Sequence, residues 1–376
     1  MRILILTQPL IENYGGILQN YALQTVLKKR GHSVETLNTE APLAFFKRYG
    51  LRFLSMGKQL LLLILGKNRS GLIRQWMTCK ERKICYNKIS QFIEMHISMT
   101  SLAGCLGAMR KYRGYDAYVV GSDQVWRKSY SPCLPVYFLN FLPENNSAKK
   151  ISYAASFGSA KLDFAPKEIE KYSRLLQRFD AVSVREFSGQ KLCCTVFNIS
   201  AEVVPDPTML LTAEDYYSLR GEHLNCAKGK LVTYILDETP EKTNIIKNFA
   251  DEHDLEIIRL WGSFSLSDLR SSTPPEKQGI DYWLAAIESA EYVITDSFHG
   301  TVFSLIFQKE FFVFVNHARG KERFDMLDEL FEISDRFIDI SSCEMRIPKP
   351  LNCGEIEEVL DRCRNSGMCF LKQNGF

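Results

Sequence analysis

Short, almost uninterrupted apolar runs alternate with longer helix-patterned stretches along nearly the whole chain. Ala117-Tyr-Val-Val120 and Phe311-Phe-Val-Phe-Val315 are typical of them. A strand covered on one face alternates apolar and polar residues. A run that is apolar at every position needs cover on both faces, which parallel sheets flanked by helices provide. Candidate strands fall at 2–6, 34–37, 117–121, 151–154, 181–184 and 202–204, and again at 231–236, 256–260, 292–295, 311–315 and 337–340. Alternation at this spacing predicts βαβ units and an α/β class. A length of 376 residues suits two such domains.

The pattern breaks at Val204-Pro-Asp-Pro-Thr208, where two prolines remove backbone donors and exclude a regular element. A new α/β series begins near Lys230. The expected division is therefore 1–210, 211–350 and a helical tail at 351–376. Two open, mostly parallel-sheet, Rossmann-like domains facing a cleft place ligands at the carboxyl ends of their strands.

Several classes are excluded by counting. The longest aliphatic run, 60–65, is six residues, against about 20 for a membrane-spanning helix. The start, Met1-Arg-Ile-Leu-Ile-Leu-Thr7, has no signal-peptide profile, so a cytoplasmic location is expected. The 11 cysteines contain no Cys-x-x-Cys pair, and no metal site or cofactor is expected. Charge is uneven. Residues 1–100 carry 15 Lys and Arg against 5 Asp and Glu, and 41–83 holds ten bases and one acid. With the run 60–65 and the aromatics Phe45, Phe46, Phe53 and Trp76, that composition suits an interfacial helix on an anionic membrane. A core helix flanked by solvated charges is the alternative. Nucleic acid is not expected, because it has no use for the aliphatic run.

Candidate chemistry gathers where strands end. After the first strand, Asn13-Tyr-Gly-Gly16 opens a helix; Gly15 and Gly16 either let the backbone approach a ligand or form a tight turn. Val119-Val-Gly-Ser-Asp-Gln-Val-Trp126 ends another strand. Asp123 there is a base or a helix cap, with Gln124 and Trp126 as sugar contacts. Arg185 follows Val182-Ser-Val and precedes Glu186. Its fork suits a phosphate or carboxylate, or it pairs with Glu186 or another acid. Thr295-Asp-Ser-Phe-His-Gly-Thr301 ends a strand and starts an apolar helix, putting Asp296, Ser297, His299 and Gly300 where helix amides favour an anion. His299 is the candidate acid or phosphate ligand. The nearby basic loop His317, Arg319, Lys321 and Arg323 either closes over a phosphate or is a solvated surface.

Taken in order, Asn13-Tyr-Gly-Gly16 with Gln19-Asn-Tyr-Ala-Leu-Gln24, Val120-Gly-Ser-Asp-Gln-Val-Trp126, Tyr153-Ala-Ala-Ser-Phe-Gly158, Val182-Ser-Val-Arg-Glu186, Asp206-Pro-Thr208 and Thr295-Asp-Ser-Phe-His-Gly300 resemble the polysaccharide pyruvyl transferase family. The resemblance runs from residue 1 to about 335, with 41–100 poorly matched. It implies a GT-B-like fold and transfer of the pyruvyl group of phosphoenolpyruvate onto a sugar of a bacterial surface polysaccharide precursor, as a cyclic ketal. It also implies that Arg185 and His299 bind the donor; from the helix start and the basic loop, Ser297, Gly300 and Arg323 are expected beside them. Asn13, Tyr14, Gly15, Gly16, Gln124 and Trp126 would then line the acceptor side, with Asp123 as base. A lipid-linked acceptor fits the membrane reading of 41–83. The alternatives are a GT-B glycosyltransferase using a nucleotide sugar and a non-enzymatic component of polysaccharide assembly. Because Arg185 and His299 are expected to face a cleft, truncating either is expected to leave the fold intact.

Overall fold

The computed structural model describes residues 1–38, 83–100, 106–131, 133–262, 275–316, 320–338, 340, 345 and 347–376. The basic and apolar segment singled out above lies, except for Lys83, outside the described residues, as do His317 and Arg319.

Ten strands form two parallel sheets among these residues. The first comprises β1 (Arg2–Leu6), β2 (Ser33–Thr36), β3 (Ala117–Asp123), β4 (Lys149–Ala155), β5 (Ser183–Val184) and β6 (Glu202–Val203), in the order β2-β1-β3-β4-β5-β6. The second comprises β7 (Leu231–Ile235), β8 (Ile257–Trp261), β9 (Tyr292–Thr295) and β10 (Glu310–Val313), in the order β10-β9-β7-β8. Every pairing is parallel. Of the expected strand at 337–340, the described residues show a bridge from Phe337 to Val313, just after the 3-10 turn Ser334–Arg336.

Burial explains the continuous apolar runs. All seven residues of β3 and all five of β7 are buried. Ile3 and Ile5 face one core while Leu4 and Leu6 face another, as the two-residue period of a strand requires. The core on the Ile3 side continues into Val232 and Tyr234 of the second sheet, so one apolar cluster joins the two units. The helices α1 (Tyr14–Lys29), α2 (Asn87–His96), α3 (Pro166–Leu176), α4 (Phe187–Thr195), α5 (Ala213–Tyr217), α6 (Pro240–Glu252), α7 (Ile280–Ser289), α8 (Phe298–Ile306), α9 (Glu322–Phe331) and α10 (Cys353–Gln373) complete the layers. At the centre of the shared core Tyr14 stacks on Trp283, with ring centroids 5.5 Å apart. The C-terminal helix α10 returns to the first unit, where Gly367 lies against Tyr153, Pro205 and Leu210; a Cβ at 367 would overlap the Tyr153 hydroxyl.

In each sheet the chain leaves the central strand to one side and returns on the other, between β1 and β3 and between β7 and β9. Such switch points open a crevice at the carboxyl ends of the strands. Lys277 clamps the crevice at its β1 and β8 end. It is 1% exposed, its Nζ donates to the carbonyls of Glu12 (2.8 Å) and Gly262 (2.9 Å), and it lies over the Tyr14 ring. Burial pulls its pKa from 10.5 down to about 8, against the opposing pull of Glu12. The native state therefore sheds this proton before the unfolded chain does. Stability from this group is present above about pH 10.5 and is lost as pH falls through about 8. Compared with Lys277→Met in urea unfolding, the wild type is expected to gain as pH rises from about 7 to 10, by up to about 3 kcal/mol. An unchanged difference across that range would contradict this.

Candidate functional site

The linker between the sheets, which reads as a break in regular structure, carries the carboxylate around which the site is built. Asp206 is 1% exposed and caps the 3-10 turn Pro207–Leu210, its Oδ1 accepting from the Thr208 amide (3.1 Å) and hydroxyl (2.8 Å). Its Oδ2 faces two nitrogen-bearing side chains from different elements. Arg185, projecting from the end of β5, donates through Nη1 at 2.6 Å. His299, in the first turn of α8, brings Nε2 to 3.6 Å, just beyond hydrogen-bond length. Burial pushes the Asp206 carboxyl up, but the combined pull of His299, Arg185 and the Thr208 amide outweighs it and holds the group well below the usual carboxylate range.

Arg185 is enclosed rather than presented to solvent. Besides Asp206 it reaches Asp123 through Nη2 at 3.5 Å, and its side chain is 2% exposed. Burial opposes its charge, yet Asp206, Asp123 and Glu186 together raise its pKa. Asp123 ends β3 at φ +71, a left-handed conformation that a non-glycine side chain holds only at a cost of about 1–3 kcal/mol. Strain of that kind concentrates at functional sites.

A second guanidinium joins from the other unit. Arg323, in the first turn of α9, lies over the Phe298 ring at 5.5 Å, and Arg185 lies over the same ring at 4.7 Å. Burial and then the neighbouring Arg185 pull the Arg323 pKa down to about 10, with Asp123 and Glu186 opposing. The two units meet beside this pair, where the Ala160 amide donates to Glu322 at 3.1 Å. A small cavity of about 10 Å³ lies there, lined by Arg185, Asp206, Phe298, Arg323, Met209 and Leu330. Two forked cations on one ring suit a ligand with two anionic groups, such as a carboxylate and a phosphate.

The other sequence candidates divide sharply. Gly15 belongs to the site through absence of a side chain: a Cβ there would overlap the His299 imidazole, so α1 and α8 meet at this residue. Gly16 lies against Asn13, and Asn13 is exposed at the start of α1. Ser297 caps α8 by accepting from the Gly300 amide at 3.3 Å, and Gly300 lets the helix pack on Thr295. Tyr14 and Trp126, expected on the acceptor side, turn inward. Both are fully buried, Tyr14 between the units and Trp126 in the other core, stacked on Phe138 with Nε1 donating to the Tyr137 carbonyl at 3.1 Å. Gln124 is also buried, its Oε1 accepting from Arg127 at 2.7 Å. Asp296 is a structural brace: Leu236 and Asp237 amides, Lys242 Nζ (2.7 Å) and Asn316 Nδ2 (3.3 Å) all donate to it.

Sequence reasoning gave no role to Asp206 or Phe298 and treated Glu186 only as a possible partner of Arg185. Asp206 falls within one of the motifs above, but its proline flanks mark it as linker. Phe298 reads as one more apolar residue of a helix. Among the described residues, no group of three or more His, Cys, Asp or Glu side chains is arranged to hold a metal ion.

The family described as polysaccharide pyruvyl transferase matches residues 13–318 of the chain. No curated protein matches it significantly. Among solved structures, the UDP-GlcNAc 2-epimerase from Methanocaldococcus jannaschii is similar at 12% identity, with 99% of each chain covered and a TM-score of 0.52. Arabidopsis thaliana UGT89C1 complexed with UDP-L-rhamnose is similar at 12% identity, over 100% of this chain and 95% of that one, with a TM-score of 0.47. The epimerase likeness bears on the fold alone, and the two facing parallel sheets are GT-B-like.

Proposed function

Because this chain belongs to the polysaccharide pyruvyl transferase family, we propose that it moves the pyruvyl group of phosphoenolpyruvate onto two hydroxyls of a sugar as a cyclic ketal, releasing phosphate. The observation that carries the donor assignment is the pair of guanidiniums, Arg185 and Arg323, on the Phe298 ring beside His299. The donor offers a planar carboxylate and a tetrahedral phosphate to the two forks, each able to accept a bidentate pair of hydrogen bonds. Amides at the N-terminus of α8 add to the positive field, with Ser297 and Gly300 shaping that turn.

The chemistry follows from that placement. His299 protonates the methylene carbon, the central carbon becomes electrophilic, and a sugar hydroxyl adds to it. Phosphate then leaves, and a second hydroxyl closes the ketal. Acid or base help of this kind is worth about 10²–10⁴-fold per group. The buried carboxylates keep the Arg185 guanidinium oriented.

Phosphoenolpyruvate alone is expected to raise the melting temperature, equally with and without a chelator. A ligand at a hundredfold excess over its Kd stabilises the native state by about 2.7 kcal/mol. Stabilisation by a nucleotide sugar and not by phosphoenolpyruvate would favour the glycosyltransferase reading instead.

The acceptor on this reading is a lipid-linked oligosaccharide, and residues 41–83 hold the enzyme to the cytoplasmic face of the membrane. Their composition supports it: ten bases with one acid, beside a six-residue aliphatic run, where each base near an anionic surface contributes about 1 kcal/mol. No helix among the described residues is long and apolar enough to cross a membrane. In flotation the protein is expected to rise with anionic vesicles, less so at high salt. Neutralising Lys47, Arg48, Arg52 and Lys58 should abolish that. Equal recovery with neutral vesicles, or none at all, would contradict it.

A further inference from the structure

Arg185 and Glu186 are consecutive in the chain, and each carries one deeply buried polar atom that the fold leaves without a hydrogen bond. Arg185 Nε and Glu186 Oε2 are 3.9 Å apart, on side chains 2% and 3% exposed. Neither makes a hydrogen bond to any described residue. Other atoms of each group have partners. Arg185 reaches Asp206 and Asp123 through its Nη atoms, and Glu186 Oε1 accepts from Ser156 Oγ at 2.5 Å. Glu186 stands at the N-cap position of α4, yet its side chain caps no amide there. An unmade buried hydrogen bond costs about 1–3 kcal/mol. Two of opposite character, side by side, define a single complement: the Nε–H requires an acceptor, the carboxylate a donor, and a hydroxyl is both at once.

We propose that this pair seats the attacking hydroxyl of the acceptor sugar, with Glu186 as the base that takes its proton. The assignment rests on the pyruvyl-transfer reading above. The hydroxyl oxygen accepts from Arg185 Nε–H and directs its proton to Glu186 Oε2. In the step the O–H bond breaks and its proton passes to Glu186, while the oxygen forms a bond to the central carbon of phosphoenolpyruvate. The electron pair of the carbon–carbon double bond moves to the methylene carbon, which takes up the proton of His299. Nothing is oxidised or reduced.

The surroundings favour a base at this position over a fixed counter-ion. Burial raises the Glu186 carboxyl above its ordinary value, with Arg185, the Ser156 hydroxyl and Arg323 pulling the other way and Glu322 adding to the rise. A further titratable neighbour is Cys193 of its own helix α4, itself pushed up by burial. A carboxylate whose pKa is lifted toward working pH is the more effective proton acceptor. Asp123, touching the guanidinium at Nη2, remains the candidate for the second hydroxyl, since a ketal needs two.

Glu186→Gln keeps the shape and an oxygen for Ser156 but cannot take the proton. With phosphoenolpyruvate and a panel of p-nitrophenyl hexosides bearing free diols, its kcat is expected to fall about 10²–10⁴-fold. Its affinity for phosphoenolpyruvate, from melting-temperature titration, should stay within about threefold of wild type. Ser156→Ala removes a hydrogen bond that favours the ionised carboxylate, so the acid limb of kcat/KM should move to higher pH. Near-wild-type turnover by Glu186→Gln overturns the proposal, as does an unmoved acid limb in Ser156→Ala. Parallel loss of phosphoenolpyruvate binding also overturns it, by making Glu186 a support for Arg185. Failure of the pyruvyl-transfer reading is seen separately, in a wild type that forms no ketal from phosphoenolpyruvate.

Discussion

Arg185→Ala is expected to abolish pyruvyl transfer and to destabilise the fold by about 3–5 kcal/mol. The sequence alone leads to a different expectation, a truncation tolerated at the rim of an open cleft. The structure replaces it, because the guanidinium is 2% exposed and is the shared partner of Asp206 and Asp123. Removing it leaves two buried carboxylates without their main cation, and breaking a buried pair from one side costs far more than the pair contributes. Part of the loss should be recovered at low pH, where the stranded carboxylates can protonate. Arg185→Lys keeps a charge without the fork, so it should restore much of the stability and little of the transfer. Urea unfolding of the three proteins tests this. A melting curve for Arg185→Ala that coincides with wild type would mean the ion network is not closed as described.

His299→Asn should show the opposite balance, with transfer reduced by about 10²–10⁴-fold and stability changed by about 1 kcal/mol or less. Its Nε2 is 3.6 Å from Asp206 and makes no hydrogen bond to any described residue, while Arg185 and Thr208 continue to hold Asp206 when the imidazole is removed. The asparagine also clears Gly15, which has no side chain to refill the space. Steady-state transfer and thermal melting of the same preparation separate the two effects. Wild-type turnover would remove His299 from the chemistry. A collapse in stability would make it an inter-unit strut instead.

Much of the architecture was legible because a parallel sheet writes itself as runs without polar interruption. Val119 and Val120, or Phe311 and Phe312, leave no solvent face to argue about. The strand ends were legible for the same reason, since polar residues resume where cover stops. What the pattern does not say is which way a side chain turns after the last strand residue. Trp126 and Tyr14 follow strand ends yet turn into the cores, and Asp296 turns back to tie the loop after β7. The convergence of Asp206, Arg185, His299 and Arg323 is likewise invisible in one dimension. Those residues lie on four elements in two units, and contacts such as that of α1 with α8 at Gly15 bring the units together.

The central claim is that phosphoenolpyruvate donates its carbon skeleton to a sugar. Its most direct test follows uniformly labelled phosphoenolpyruvate into product with lipid-linked oligosaccharides and simple hexosides as acceptors. The account predicts that the label appears in an acid-labile ketal on the sugar, with one phosphate released for each ketal formed and no loss of rate in the presence of a chelator. Label remaining entirely in phosphoenolpyruvate across the panel, while a nucleotide sugar is consumed by the same protein, would contradict it.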